Sequence, residues 1–240
     1  MPSAITIETR SFSNAGQSGD LVLPPDVVHV WTRSLDADES AIRQGHEALS
    51  SEERARAARF RVERPRNDFI LTRSALRSLL ARYLATTPGE LTFQVTKYGK
   101  PQLCGPSDLR FNVSHTEGMA LLAFTRGREI GVDVERIRPE PDARKLAERF
   151  FSLGEREALR PFRGDELQAA FFRCWSRKEA YIKARGEGLS LPLAQFDVSI
   201  ESNAPRMLLA TRPDPAHAEL WTIRNLAIDS NYAAAVAFES

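Results

Sequence analysis

"MALLAFTRGREIGVDVE" runs from Met119 to Glu135, and the way it divides decides the fold. Met119–Thr125 and Glu129–Glu135 each have the apolar alternation of a strand, and the "RGR" between them is short enough for a hairpin connection. Upstream, "VVHVWTRSL" (Val27–Leu35) reads as a first strand. Ser50 stands three residues before Glu53, a capping-box spacing that opens a helix. Pro65 ends or offsets that helix. A second helix over Arg66–Ala85 carries Phe69, Leu76, Leu80 and Tyr83 near one face, widened by Leu79 and Leu84. "LTFQV" and a turn at "KYGKP" follow. Downstream the pattern resets. "ARKLAERFF" is helical, and Ser152 with Glu155 repeats the capping box before "EREALRPF". Asp165 is placed to cap a long helix that stops at Gly186 and Gly188. The strands "FDVSI", "RMLLA", "ELWTI" and "YAAAVAF" come last.

Helices followed by strands thus occur twice, with the break near residues 126–136. The similarity is one of order, with no residue-level repeat visible. It predicts an α+β chain of two similar halves, 25–126 and 127–240, after a loosely ordered arm over 1–24. A ligand site is expected between such halves.

The chain has 240 residues, enough for a sizeable core, with 42% hydrophobic and 27% charged residues. The formal net charge of +1 excludes a whole-protein field toward nucleic acid or anionic membrane. The two cysteines, Cys104 and Cys174, lack metal-ligand spacing and read as reduced. Neither a signal pattern nor a membrane-spanning apolar run is visible, so a soluble cytoplasmic protein is expected.

In a strand, Asp133 and Glu135 of "GVDVE" point one way, and Val132 and Val134 the other. Two carboxylates so placed can share a hard cation such as Mg²⁺, and Gly131 permits close backbone approach. The same alternation also describes an ordinary strand with a polar outer face. In "WSRKEAYIKARGEG", Glu179 and Lys183 are four residues apart on one helix face, the spacing of a site or of a surface ion pair. Ser114 and His115 of "RFNVSHTEG" are adjacent, with no third partner for nucleophilic catalysis, though a protonated His can donate to phosphate. The "KYGKP" turn offers backbone N–H groups and Lys100 to a phosphate, or is a plain turn. The arginines from Arg54 to Arg77 are interleaved with glutamates and lack stacking aromatics, which speaks against nucleic-acid binding.

As an ordered set, "YGKP", "FNVSH", "IGVDVE", "RFFS" and "FFRCWSRKEAYIKARGEGLSLPL" resemble the Sfp-type 4′-phosphopantetheinyl transferases over roughly residues 25 to 238. The resemblance implies two pseudo-twofold α+β halves with coenzyme A in the cleft between them. It implies Mg²⁺-dependent transfer of the phosphopantetheine arm to a serine of an apo acyl or peptidyl carrier protein, releasing 3′,5′-ADP. Asp133, Glu135 and Glu179 match the metal carboxylates, and Lys183 the phosphate-contacting lysine. The catalytic set would be Glu179, Lys183 and Asp133. Lys100 and Pro101, Ser114 and His115, and Arg56 match contacts to the nucleotide end, with Arg73 a further candidate on charge alone. The serine proton would pass to Glu179 or to a water on the metal.

Glu53 departs from relatives that carry a basic residue there, and Glu155, sometimes placed near the metal, is explained here by its capping box. Phe150, Phe151 or the following "LGEREAL" are candidates for carrier docking, with core packing expected of at least one phenylalanine. One chain with two halves can form the cleft alone, so a monomer is expected. Two other readings stand beside it: a Mg²⁺-dependent hydrolase that uses the same carboxylates to cleave a pyrophosphate or remove phosphopantetheine, and a non-catalytic binder of coenzyme A or carrier, whose expected sign is a missing carboxylate.

Overall fold

The computed structural model describes residues 5–13 and 19–240. The first half contains β1 (Thr6–Ser11), β2 (Val27–Ser34), α1 (Glu39–Glu47), α2 (Ser51–Ala57), α3 (Glu63–Leu84), β3 (Phe93–Val95), β4 (Pro101–Leu103), β5 (Leu109–Thr116) and β6 (Met119–Arg126). The second contains β7 (Ile130–Arg136), α4 (Ala143–Phe150), α5 (Leu153–Leu159), α6 (Gly164–Arg185), β8 (Phe196–Val198), β9 (Leu208–Thr211), β10 (Trp221–Asn225) and β11 (Tyr232–Glu239). The sheets run β1-β2-β6-β5 and β10-β11-β7, with two small hairpins, β3-β4 and β8-β9. Apart from β1, each main sheet joins its half's first strand to the last, and the last to the one before it. The α+β fold of two similar halves is therefore present in the topology.

Each sheet is covered by a 22-residue helix. Leu76, Leu79, Leu80 and Tyr83 of α3 pack with Trp31, Leu122 and Phe124. Ala180, Tyr181 and Ala184 of α6 share a core with Ala233, Ala235 and Ala237. The opposite sheet faces meet in a shared core of Val28, Val30, Leu121 and Ala123 with Val132, Val134, Val236 and Phe238. No helix among the described residues is long and apolar enough to cross a membrane. Both cysteines are free, Cys174 buried and Cys104 exposed.

Several expectations change. β6 and β7 do not form a hairpin: β6 has β2 on one edge and β5 on the other, so β7 pairs with β11 in the second sheet. "RGR" is the crossing between halves. Residues 1–4 and 14–18 of the expected arm lie outside the described residues, while Thr6–Ser11 form a strand parallel to β2. Pro65 lies inside the first turn of α3, where its missing N–H costs no helical bond. Asp165 does not cap α6. The N-cap is Arg163, with no side-chain bond, and Asp165 sits in the first turn, where its charge suits the helix dipole.

A residue-level repeat also emerges. Both capping boxes form, Ser50 with Glu53 and Ser152 with Glu155. Each glutamate is buried and meets a cation at the same position of its long helix. Arg77 Nε lies 2.5 Å from Glu53 Oε2, and Lys178 Nζ lies 2.7 Å from Glu155 Oε1. A buried charge needs such a partner, so the box glutamate both caps its own helix and ties it to the next.

Candidate active site

The site begins with a missing side chain. A Cβ on Gly131 would stand 2.1 Å from the Ala180 carbonyl oxygen and 2.2 Å from Ala184 N. Only glycine lets α6 lie this close on β7. That approach puts Lys183 Nζ 2.6 Å from Asp133 Oδ1 and 2.9 Å from Ser114 Oγ. Ser114 Oγ in turn donates to Asp133 Oδ1 at 2.8 Å. β5, β7 and α6 thus converge on one carboxylate oxygen. The face of β7 bearing Asp133 is covered by α6, and Asp133 is only 2% exposed. A polar, solvent-facing side of the strand is therefore corrected to a buried one.

The other oxygen, Asp133 Oδ2, is buried and has no hydrogen-bond partner. Burial, and then the charge of Asp133, raise the carboxyl pKa of Glu135 to about 7, with Glu179 adding to the rise. Burial followed by Asp133 also raises that of Glu179. Three carboxylates that repel one another, one of them with an unpartnered oxygen, are the hard donor type a divalent cation takes, and such a cation would reverse the local sign. Among the described residues no group of three or more His, Cys, Asp or Glu is already set to hold an ion. The nearest positive charge on Asp133 is the Lys183 ammonium.

His115 follows Ser114 on β5, is exposed, and feels the charges of Asp68 and Lys183. Lys100 binds Glu129 Oε2 at 2.6 Å and the Ala184 carbonyl at 2.9 Å, locking the "KYGKP" turn to the end of α6. There Gly186, at φ 68°, ends the helix in the left-handed region, and a Cβ on it would meet Lys100 Cδ at 3.3 Å. Lys100, Pro101, Arg110, Phe111 and Glu129 line a groove of about 220 Å³. Arg56 is exposed, with its guanidinium 5.0 Å from the Phe69 ring centroid. Arg73 is engaged by Glu53 and lies 3.9 Å from the Phe93 ring centroid.

Three features escaped the sequence reading. Ser114 touches Asp133 directly, a contact across the halves with no local signal. Glu129 is the partner of both Lys100 and Arg110. Lys178, beside Glu179, is completely buried, its ammonium also bonded to the Leu193 and Phe196 carbonyls at 2.8 Å. Its place on the stripe of Phe171, Cys174 and Tyr181 was the available clue. Glu155 proves structural, accepting also from Val198 N at 2.7 Å. Phe151 is core, Phe150 packs edge-on to Trp175, and Leu153 is 63% exposed.

Residues 129–237 match the model of the 4′-phosphopantetheinyl transferase superfamily, and residues 34–126 that of 4′-phosphopantetheinyl transferase, N-terminal. The chain is 39% identical over 221 residues to the 4′-phosphopantetheinyl transferase HetI of Nostoc sp., covering 91% of this chain and 90% of that one. It is 31% identical over 188 residues to the 4′-phosphopantetheinyl transferase Sfp of Bacillus subtilis, covering 78% and 81%. Of solved structures, the holo-[acyl-carrier-protein] synthase of Thermotoga maritima overlaps 47% of this chain and 62% of that one, at 23% identity and a TM-score of 0.37.

Proposed function

The chain belongs to the 4′-phosphopantetheinyl transferase superfamily, and from that premise we propose that it moves the phosphopantetheine arm of coenzyme A onto a serine of an apo acyl or peptidyl carrier protein. The observation that carries the reading is the single oxygen of Asp133 on which β5, β7 and α6 converge, beside an unpartnered second oxygen.

The serine hydroxyl attacks the phosphorus bearing the pantetheine arm, the bond to the departing phosphate breaks, and 3′,5′-ADP leaves. Asp133, Glu135 and Glu179 would hold Mg²⁺, which when bound offsets the diphosphate charge. Lys183, partly exposed, reaches toward the same phosphates and stabilises the charge that grows on the leaving group. The serine proton passes to Glu179 or to water. Arg56, Lys100, Pro101, Ser114 and His115 are assigned to the nucleotide end of coenzyme A. In this reading Ser114 serves both the coenzyme and Asp133, and Lys100 chiefly holds its turn against α6.

The first half, 25–126, then supplies most coenzyme contacts, and the second, 127–240, the carboxylates. The enzyme works as a cytoplasmic monomer, without nucleic acid or membrane. Carrier docking is assigned to the groove of about 310 Å³ between α4 and α5, where Leu153, Arg156 and Arg160 are lining residues.

The test incubates the protein with coenzyme A, Mg²⁺ and an apo carrier, followed by intact mass of the carrier. The expected result is the gain of one phosphopantetheine, lost on chelation. No gain across fatty-acid and peptidyl carriers overturns the reading. Release of 3′,5′-ADP without a carrier would instead identify a hydrolase.

A further inference from the structure

β7 is an edge strand of its sheet, because β11 occupies only one of its sides. The N–H groups of Val132, Val134 and Arg136 point to the other side, toward β5, which is the edge of the first sheet. Two such edges commonly join through backbone bonds. Here β5 supplies side-chain oxygens instead. Val132 N donates to Asn112 Oδ1 at 2.9 Å, Val134 N to Ser114 Oγ at 3.4 Å, and Arg136 N to Thr116 Oγ1 at 3.4 Å. The ladder is formed by alternate residues of both strands, and Asn112 makes its shortest bond. Asn112 is 7% exposed, so its oxygen faces no competing water.

We infer that Asn112 is a positioning residue that fixes the register of the carboxylate strand against the first half. It touches no reacting group and acts through the backbone of Val132, the residue before Asp133. A slip of one residue would turn Asp133 and Glu135 into the shared apolar core. A slip of two would set Gly131 or Glu135 where Ser114 now meets Asp133. The inference rests on the reading of Asp133 as part of the reacting site.

The test compares Asn112→Leu, which keeps the branched heavy-atom shape and removes the acceptor, with Asn112→Asp, which keeps the acceptor. Each is assayed as the full chain with coenzyme A, Mg²⁺ and apo carrier, and rates are referred to folded protein. Displacement of a reacting group by about 1 Å can cost about 100-fold, so Asn112→Leu is expected to lower kcat about 10- to 100-fold. KM for coenzyme A should change less than about threefold, the pattern of an interaction expressed in the transition state. Asn112→Asp should recover most of the rate. Amide exchange over 132–136 should quicken in Asn112→Leu and slow again in Asn112→Asp.

Unchanged kcat, or unchanged protection of those amides, in folded Asn112→Leu overturns the inference, even with a lowered melting temperature. If Asn112→Leu does not fold, Asn112→Ala, which also removes the acceptor, is read by the same criteria. Should the wild-type protein transfer nothing, the proposed function fails, and the exchange measurement still decides the register.

Discussion

β2 under α3 and β7 under α6 are the same construction used for different ends. On the face of β2 that meets α3, Trp31 Nε1 donates to Tyr83 Oη at 2.8 Å, and Tyr83 Oη lies 2.7 Å from His29 Nδ1. Arg33 completes that face and is buried. Aromatic rings and the hydrogen bonds among Trp31, Tyr83 and His29 fill the space, with Arg33 Nε left without a partner. On β7 the corresponding face carries Gly131, Asp133 and Glu135. Glycine lets the helix in, and carboxylates occupy the space that rings fill in the first half. Burial stabilises the neutral forms in both places, raising the Tyr83 pKa to about 12 and that of Glu135 to about 7. Tyrosine is neutral at pH 7 in any case, whereas carboxylates held together repel one another, which Lys183 offsets at Asp133. One scaffold therefore gives a packed interior in one half and an electrostatically poised site in the other.

The comparison breaks most sharply at Asp133. Asp133→Ala should lower kcat/KM at least about 100-fold, the scale for losing a preorganised charge partner. Trp31→Phe, on the matching face of the first half, should leave kcat/KM within about twofold while lowering thermal stability. Equal losses of activity in the two variants would refute the division of roles.

The next contrast concerns the buried cations. Lys178→Met strips Glu155 of its ion-pair partner and should cost about 3–4 kcal/mol in chemical denaturation. Arg77→Met should cost less, because Glu53 retains Arg73. Reversal of that order would show that Arg73 does not compensate Glu53 for the lost Arg77.

Gly131→Ala should destabilise by about 2–3 kcal/mol, since the added methyl meets helix backbone and not a movable side chain. Activity should fall with it, because α6 must lift Lys183 from Asp133. A stable, fully active variant would show that close helix approach is not what assembles the site.

The smallest effect is in the first half and depends on pH. His29 is 1% exposed, and burial, then the charge of Arg10, lowers its pKa from 6.5 to about 4. Between those values the unfolded chain binds the proton and the folded one does not. Stability is therefore full above pH 6.5 and falls as pH drops toward 4, by about 1 kcal/mol at pH 5.5. Urea titrations at pH 7.5 and 5.5 should show this slope, diminished in His29→Gln. An unchanged slope in the variant assigns the loss to other groups.

Much of this plan was legible in local patterns. Alternation in "GVDVE" placed Asp133 and Glu135 on one face, four-residue spacing joined Glu179 to Lys183, and Ser–Glu spacing announced both capping boxes. These readings succeed because each depends on residues within a turn or a pleat of one another. β1 was missed because "TIETRS" has little apolar signal, and its order comes from pairing with β2. The supposed β6–β7 hairpin failed because the edges of β6 were claimed by β2 and β5, strands from elsewhere in the chain.

The sequence by itself determined the order of elements, the two-half α+β plan, the glycine at the close approach and the placing of Asp133 and Glu135 on one face of their strand. Only the tertiary structure decided that Asp133 is buried, that Ser114 crosses between halves to reach it, that Lys178 is internal while Lys183 bonds Asp133, and that Asn112 accepts from Val132 N across the halves. The reason is physical. Periodicity reports which side of an element a residue takes, but burial and bonding depend on what packs against that side, and here the packing partners are distant in the chain.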